Sequence, residues 1–237
     1  MGRAHEVRAA SMAKTAAAKS KLYSIYAKEI YQAAKSNPDP INNLELKRII
    51  EKAKKEQVPA DVINRNIEKV KKGTVENYEV CEYEAFGPGG SNLIIRCLTD
   101  NINRALSLIK TVFNKTGLKL ASMGAVSYMY DHLAVLGIKD ANEEEVMEAM
   151  FNEGVDLKDM EMDGDTLLIY GEPQDFYKMK KVIEDNFPNK KIELEEISKY
   201  AKDTIKLEGE DLEKFKRALA MLDEVDDVSN VYHNVEL

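Results

Sequence analysis

Residues 83–104 read YEAFGPGGSNLIIRCLTDNINR, and no other stretch constrains the fold as strongly. Just before and into it, Val80, Glu82, Glu84 and Phe86 alternate with Cys81, Tyr83 and Ala85, the period-two pattern of a strand. Residues 93–98, LIIRCL, are apolar apart from Arg96 and suit a mostly buried strand. Between the two lies Gly87-Pro88-Gly89-Gly90. Proline brings a pre-set φ and glycine accepts positive φ, so this loop can turn sharply. Thr99-Asp100-Asn101 then offers capping oxygens, and Ile102, Ala105, Leu106, Ile109, Val112 and Phe113 follow at helical spacing. The expected unit is strand–loop–strand–helix. The loop admits two readings: a hairpin turn, or bare backbone N–H groups that approach a phosphate. It lacks the Lys-Ser/Thr ending of a nucleotide-binding P-loop and joins strand to strand, which argues against a nucleoside triphosphate site.

Charge is split along the chain. The net charge of −8 over 237 residues argues by itself against a nucleic-acid partner. Yet residues 1–73 hold 16 Lys/Arg against 8 Asp/Glu, a net of +8, and residues 74–237 hold 18 against 34, a net of −16. The asymmetry suggests a basic arm for polyanions on an acidic body that repels them; the alternative is two ordinary solvated surfaces of opposite sign. A hydrophobic fraction of 44% suffices for a core, and no apolar run reaches the roughly 18 residues of a membrane span. Met1–Glu6 has no apolar h-region behind it, so a secretory signal is not expected and the cytoplasm follows.

Residues 1–36 are rich in Ala and Lys, both strong helix formers. Up to Ser20 there is almost no large apolar residue, so this half cannot pack a core and is expected to be disordered, or helical only on a partner. From Leu22 on, Leu22, Ile25, Tyr26 and Ile30 share one helical face. Arg3, Arg8, Lys14, Lys19, Lys21, Lys28 and Lys35 face only Glu6 and Glu29, with Tyr23, Tyr26 and Tyr31 interleaved. Lysines neutralise phosphates and tyrosines stack on bases; equally, such lysines form a solvated helix face and such tyrosines pack helices, the reading preferred for Tyr26. The lysines are expected to be exposed, outside the apolar stripe.

Asn37-Pro38-Asp39-Pro40 separates this helix from a second over residues 41–57, and Val58-Pro59 opens a third that Gly73 ends. The first domain is thus three helices with a basic outer surface. Strands 79–86 and 91–98, helix 101–116 and a strand 125–130 (AVSYMY) follow. Next come a strand at 132–139, helix 143–152 opened by a capping box of Asn142 and Glu145, strands 157–162 and 166–170 joined through Asp163-Gly164, helix 174–186, and a strand at 191–197. That order, βαββαβ, is the ferredoxin-like unit. A strand at 205–207, helix 210–222 and a strand at 228–235 close the chain and need a sheet to join.

Cys81 and Cys97, the only cysteines, fall on neighbouring expected strands and read as small buried hydrophobes rather than a disulfide or metal pair. No Cys/His spacing reads as a zinc site, and Asp156, Asp159, Asp163 and Asp165 lack the order of a calcium loop. Neither a nucleophile–base arrangement nor a spaced carboxylate pair stands out. No enzyme activity, cofactor or metal is expected. Arg96 and Arg104 stand out in the acidic body: each either pairs with a carboxylate that fixes packing or contacts a phosphate, with pairing preferred for Arg96.

The blocks YE-x-FGPGG, LTDN-x-NR and GAVSYMYD (Gly124–Asp131), with GR near the start, NPDP at Asn37–Pro40 and Val58-Pro59, resemble in their joint order the YebC/PmpR family. The resemblance runs the whole chain. It implies a three-domain cytoplasmic protein without known enzyme activity, found across bacteria and with a mitochondrial relative. Members are usually described as probable DNA-binding transcriptional regulators, and some act instead at the ribosome. Many carry a Trp near the N-terminus; this chain has none and reads Ala4-His5-Glu6 there, which removes any stacking role of that Trp.

Residues and resemblance together give an α+β expectation: a basic helical domain, 1–76, followed by two ferredoxin-like α/β domains. The second of the three domains is discontinuous, 77–131 plus 204–237, and the third, 132–203, is inserted in it. The expected function is a non-enzymatic nucleic-acid-binding regulator of gene expression, through DNA, or alternatively through ribosomal RNA on the ribosome; a protein-interaction adaptor is a further alternative. No membrane partner is expected. The expected contact residues are Arg3, Arg8, Lys14, Lys19, Lys21, Tyr23, Lys28, Gly87, Gly89, Gly90 and Arg104. No helix-turn-helix with a compact recognition helix is evident, which weakens base-specific duplex reading.

Overall fold

The computed structural model describes residues 19–237 and divides into two compact units. Arg3, Arg8 and Lys14 lie outside the described residues.

The first unit, described over residues 127–206 and 232–237, carries the βαββαβ order: β4 (Tyr130–Lys139), α5 (Glu143–Asn152), β5 (Leu157–Asp163), β6 (Thr166–Gly171), α6 (Phe176–Asn186) and β7 (Ile192–Ala201). Its antiparallel sheet runs β5-β6-β4-β7. The side chains of β4 sort by parity. Ala134, Leu136 and Ile138 join the large core with Val146 and Met150 of α5 and Phe176, Met179 and Ile183 of α6. Leu133 and Val135 join a smaller cluster with Leu168, Tyr170 and Tyr200 on the opposite face. Asn142 caps α5 by accepting from the Glu145 N–H at 3.1 Å. Gly164, at φ +63°, turns β5 into β6. A short parallel pair, β8 (Ile205–Lys206) with β10 (Val235–Glu236), completes this unit.

The second unit, described over residues 19–126 and 207–231, begins with α1 (Lys19–Ala34), α2 (Leu44–Lys55) and α3 (Ala60–Lys71). Tyr26, Ile30 and Ala34 meet Leu46, Ile49, Ile50 and Ala53 and then Ile63 and Ile67, the apolar stripes that the helical spacing requires. Asn43 links two helices. Its Oδ1 accepts from the Leu46 N–H at 3.0 Å, while its amide donates to the carbonyls of Ala33 (2.9 Å) and Asn37 (2.7 Å). The rest is a sheet in the order β3-β1-β2-β9, formed by β1 (Glu79–Phe86), β2 (Asn92–Thr99), β3 (Lys119–Leu120) and β9 (Val228–His233), with α4 (Ile102–Thr116) and α7 (Gly209–Asp223). β9, from the end of the chain, lies beside β2, so the βαββαβ segment is an insertion in this α+β arrangement. Asn101 caps α4 by accepting from the Arg104 N–H at 2.9 Å, and Gly117 ends it at φ +77°.

One expected strand is absent. AVSYMY does not run extended from residue 125: Ser127–Met129 is a 3₁₀ turn and β4 starts at Tyr130. The preceding loop is fastened to β1 instead. The buried Glu84 carboxylate accepts from the Gly124 N–H at 2.8 Å and from the Val126 N–H, while the Glu84 carbonyl accepts from the Ala121 N–H at 2.8 Å. A backbone donor committed to that carboxylate is not available to a ladder.

Candidate nucleic-acid interface

The contact residues expected from the sequence fall into three groups. On α1, Lys19 is exposed at the start of the helix. Lys21 and Lys28 are not part of an exposed face: their side chains are only 15% and 16% accessible. Lys21 Nζ donates to the Asp223 carbonyl and lies 3.3 Å from Asp223 Oδ1. Lys28 Nζ donates to the carbonyls of Leu98 and Asp226, each at 3.2 Å, and lies 3.8 Å from Asp227 Oδ1. Both lysines fasten α1 to the end of α7 and the turn into β9, because that turn gathers carbonyls and carboxylates that need cations. Tyr23 is likewise committed. It packs against the three-helix core, and its hydroxyl donates to the Gln57 carbonyl at 3.3 Å. Tyr26 and Tyr31 are buried, the latter donating to the Thr74 carbonyl at 2.6 Å and accepting from the Glu76 N–H at 2.7 Å. The tyrosines of α1 therefore serve packing. Exposed cations of the described three-helix part include Lys19 and, beyond those the sequence singled out, Lys54, Arg65 and Lys72, which sequence reasoning grouped only as a basic outer surface.

The second group centres on Arg104. Its guanidinium forks onto Asp227, Nε to Oδ2 at 3.0 Å and Nη2 to Oδ1 at 2.8 Å, and Nη2 also reaches Asp100 Oδ1 at 2.7 Å. These carboxylates raise the Arg104 pKa further above its ordinary value. Asp227 is the hub; its side chain is 3% exposed. Burial pushes its carboxyl upward, but hydrogen bonds from Arg104 and Thr99 and the charges of Arg104 and Lys28 outweigh it and hold the group below the usual carboxylate value. Sequence reasoning missed Asp227, which stands 123 positions from Arg104 and carries no local signal. Arg96 pairs with Glu29 at 3.1 Å and donates to Ser229 Oγ at 3.3 Å.

The third group is the β1–β2 turn. Phe86 pairs with Asn92, the Gly87 N–H donates to the Ser91 carbonyl at 2.8 Å, and the Ser91 N–H returns to the Pro88 carbonyl at 3.0 Å. Gly89 and Gly90 both have positive φ, +62° and +84°. Their surroundings differ. A Cβ on Gly89 would stand 2.5 Å from Leu207 Cδ2, whereas a Cβ on Gly90 would meet nothing within 4 Å. Gly89→Ala is therefore expected to lose more stability than Gly90→Ala, which bears only the left-handed strain of about 1 kcal/mol. Thermal unfolding of the two variants checks the order; equal melting temperatures would show that Leu207 moves aside at no cost.

Cys81 and Cys97 are register partners across β1 and β2, and both are free thiols. Burial, reinforced by the neighbouring Cys81, pushes the Cys97 thiol up to about 12, which leaves it unreactive at neutral pH. Among the described residues, no group of three or more His, Cys, Asp or Glu is placed to hold a metal ion, and no helix is long and apolar enough to cross a membrane.

Residues 3–73 match the model of the TACO1/YebC protein N-terminal domain, and residues 78–235 match that of the TACO1/YebC second and third domain. A probable transcriptional regulatory protein of Vibrio parahaemolyticus is 45% identical over the full length of both chains. One of the same description from Acholeplasma laidlawii is 48% identical over 99% of this chain and 98% of its own. The crystal structure of a conserved hypothetical protein from Aquifex aeolicus superposes with a TM-score of 0.75 at 32% identity, covering 94% of this chain and 93% of that one. Two family models that together span nearly all of the sequence, and relatives alike from end to end, place this chain in the TACO1/YebC family.

Proposed function

We propose that the protein is a non-enzymatic, cytoplasmic regulator of gene expression that binds nucleic acid through its basic N-terminal part. The observation that carries this reading is the charge division: +8 over residues 1–73 against −16 over the remainder. A polyanion is drawn to one end of such a chain and repelled by the other, which orients the encounter. In the described three-helix part, Lys19, Lys54, Arg65 and Lys72 stand exposed for phosphates, and Arg3, Arg8 and Lys14 precede them in the sequence. Lys21 and Lys28 act one step back, holding α1 on the sheet-containing part of its unit, and Arg104 holds Asp227, the carboxylate beside Lys28. The relatives named probable transcriptional regulatory proteins support DNA as the ligand. The functional division follows the three expected domains, 1–76, 77–131 with 204–237, and 132–203.

Because the same cations neutralise either backbone, the test sets duplex DNA beside a ribosomal RNA fragment. Fluorescence anisotropy of the full chain across a salt series should show binding that weakens steeply with salt. Tighter binding of DNA at matched salt supports the transcriptional form. Tighter binding of the RNA moves the function to the ribosome. Binding of neither would overturn the reading in favour of a protein-interaction adaptor.

A further inference from the structure

We propose that a cleft beside the β1–β2 turn is a second, single-strand nucleic-acid site, which holds phosphates with four cations and stacks one base on Phe86. This rests on the nucleic-acid reading above but on different residues. The cleft has a volume of about 560 Å³ and is bounded by Phe86 and Pro88 of the turn, by Lys115 and Lys119, and by Lys214 and Arg217 of α7. Four elements, β1, β3, α4 and α7, contribute these side chains. Phe86 and Lys119 are register partners of β1 and β3, so they leave the sheet on the same face. Lys214 and Arg217, three apart on α7, share one side of that helix. Lys115 belongs to the last turn of α4.

No Asp or Glu lines the cleft, although residues 74–237 carry a net −16. Glu210 reaches Lys214 at 2.8 Å from outside the lining. Lys115, Lys119 and Arg217, with Lys214 already paired to Glu210, gather positive charge in an acidic body and draw in an anion that the surrounding surface repels. The aromatic ring identifies the anion. Phe86 is 40% exposed and lines the cleft beside the cations. An exposed ring flanked by cations is the combination that stacks a base while the backbone is neutralised. A duplex keeps its base faces stacked inside and would leave the ring unused, whereas a single strand offers a free base face.

The test measures binding of the full chain to labelled oligo(U) and oligo(dT) of about eight nucleotides, to a short duplex, and to poly-glutamate. Lys119→Glu/Arg217→Glu and Phe86→Ala are the variants, and all three positions are exposed, so melting temperatures should stay near wild type. The double reversal should weaken single-strand binding at least roughly tenfold and flatten the salt slope by about 0.7 for each lost phosphate contact. Phe86→Ala should weaken it roughly tenfold with the slope unchanged, since a stacked base releases no counterion. Duplex binding should change little in either variant. Loss on oligo(U) alone assigns the site to RNA, and loss on both oligonucleotides assigns it to single strands in general. Wild-type single-strand binding that survives both variants overturns the cleft and leaves the N-terminal reading intact. An equal loss on poly-glutamate also overturns it, as a simple anion patch. Failure of the wild type to bind any nucleic acid sinks both readings together.

Discussion

Glu84→Ala is expected to lower the unfolding free energy by about 1–3 kcal/mol, because it strands a buried backbone donor whose unmet hydrogen bond costs about that much. That donor is the N–H of Val126; the buried carboxylate also holds the N–H of Gly124, an exposed residue that water can serve in its place. Val126 is itself fully buried, so water cannot reach its N–H without opening the loop. Glu84→Gln keeps one carbonyl oxygen as an acceptor and should lose only part of that stability. Urea unfolding followed by circular dichroism reads both variants. A loss for the alanine variant no larger than that of an ordinary surface substitution, roughly 0.5 kcal/mol, would show that the loop rearranges around the gap.

Asp227→Ala should cost about 2–3 kcal/mol, the scale of hydrogen bonds made to a buried charged group. It releases Arg104 and removes the carboxylate beneath Lys28, so α1 loses part of its attachment. The pH dependence follows from the direction of the shift. The folded carboxyl titrates below its ordinary value of 3.8, so the folded state binds the proton less readily than the unfolded chain. The stabilisation is therefore complete above pH 3.8 and is lost as pH falls from there through the lowered folded value. The difference in stability between wild type and Asp227→Ala should be flat at neutral pH and shrink only in that acid window. A difference that persists unchanged below it would mean that the loss arises from packing and not from charge.

Local pattern carried much of this fold. The alternation at residues 80–86 and the apolar run after Gly90 gave β1 and β2, since a half-buried and a buried strand leave different signatures in side-chain polarity. Asn101 and Asn142 marked helix starts through the one hydrogen bond that a cap needs. What failed was information held elsewhere in the chain. AVSYMY has strand-like alternation, yet Glu84, some 40 positions earlier, claims the N–H of its Val126 and that of the preceding Gly124. Lys21 and Lys28 look solvated beside their helical neighbours, and only the fold brings Asp223 and Asp227 to them from about 200 positions away. Two-residue strands such as β3 fall below any periodic signal, and β3 is what sets Lys119 beside Phe86. The candidate site was thus legible as a charge imbalance, and the sorting of its cations into bound and available ones was not.

The central claim is that the N-terminal cations meet phosphates directly, and the salt dependence of binding tests it most directly. Duplex DNA and the ribosomal RNA fragment would be titrated with the full-length chain and with an Arg3→Glu/Arg8→Glu/Lys14→Glu/Lys19→Glu variant, which leaves the helix-fastening Lys21 and Lys28 unchanged. The account predicts weaker binding by the variant, an unchanged melting temperature, and a plot of log K against log salt flattened by about 0.9 per lost contact on duplex, or about 0.7 on single strands. The same affinity and the same slope as wild type on both nucleic acids would contradict it.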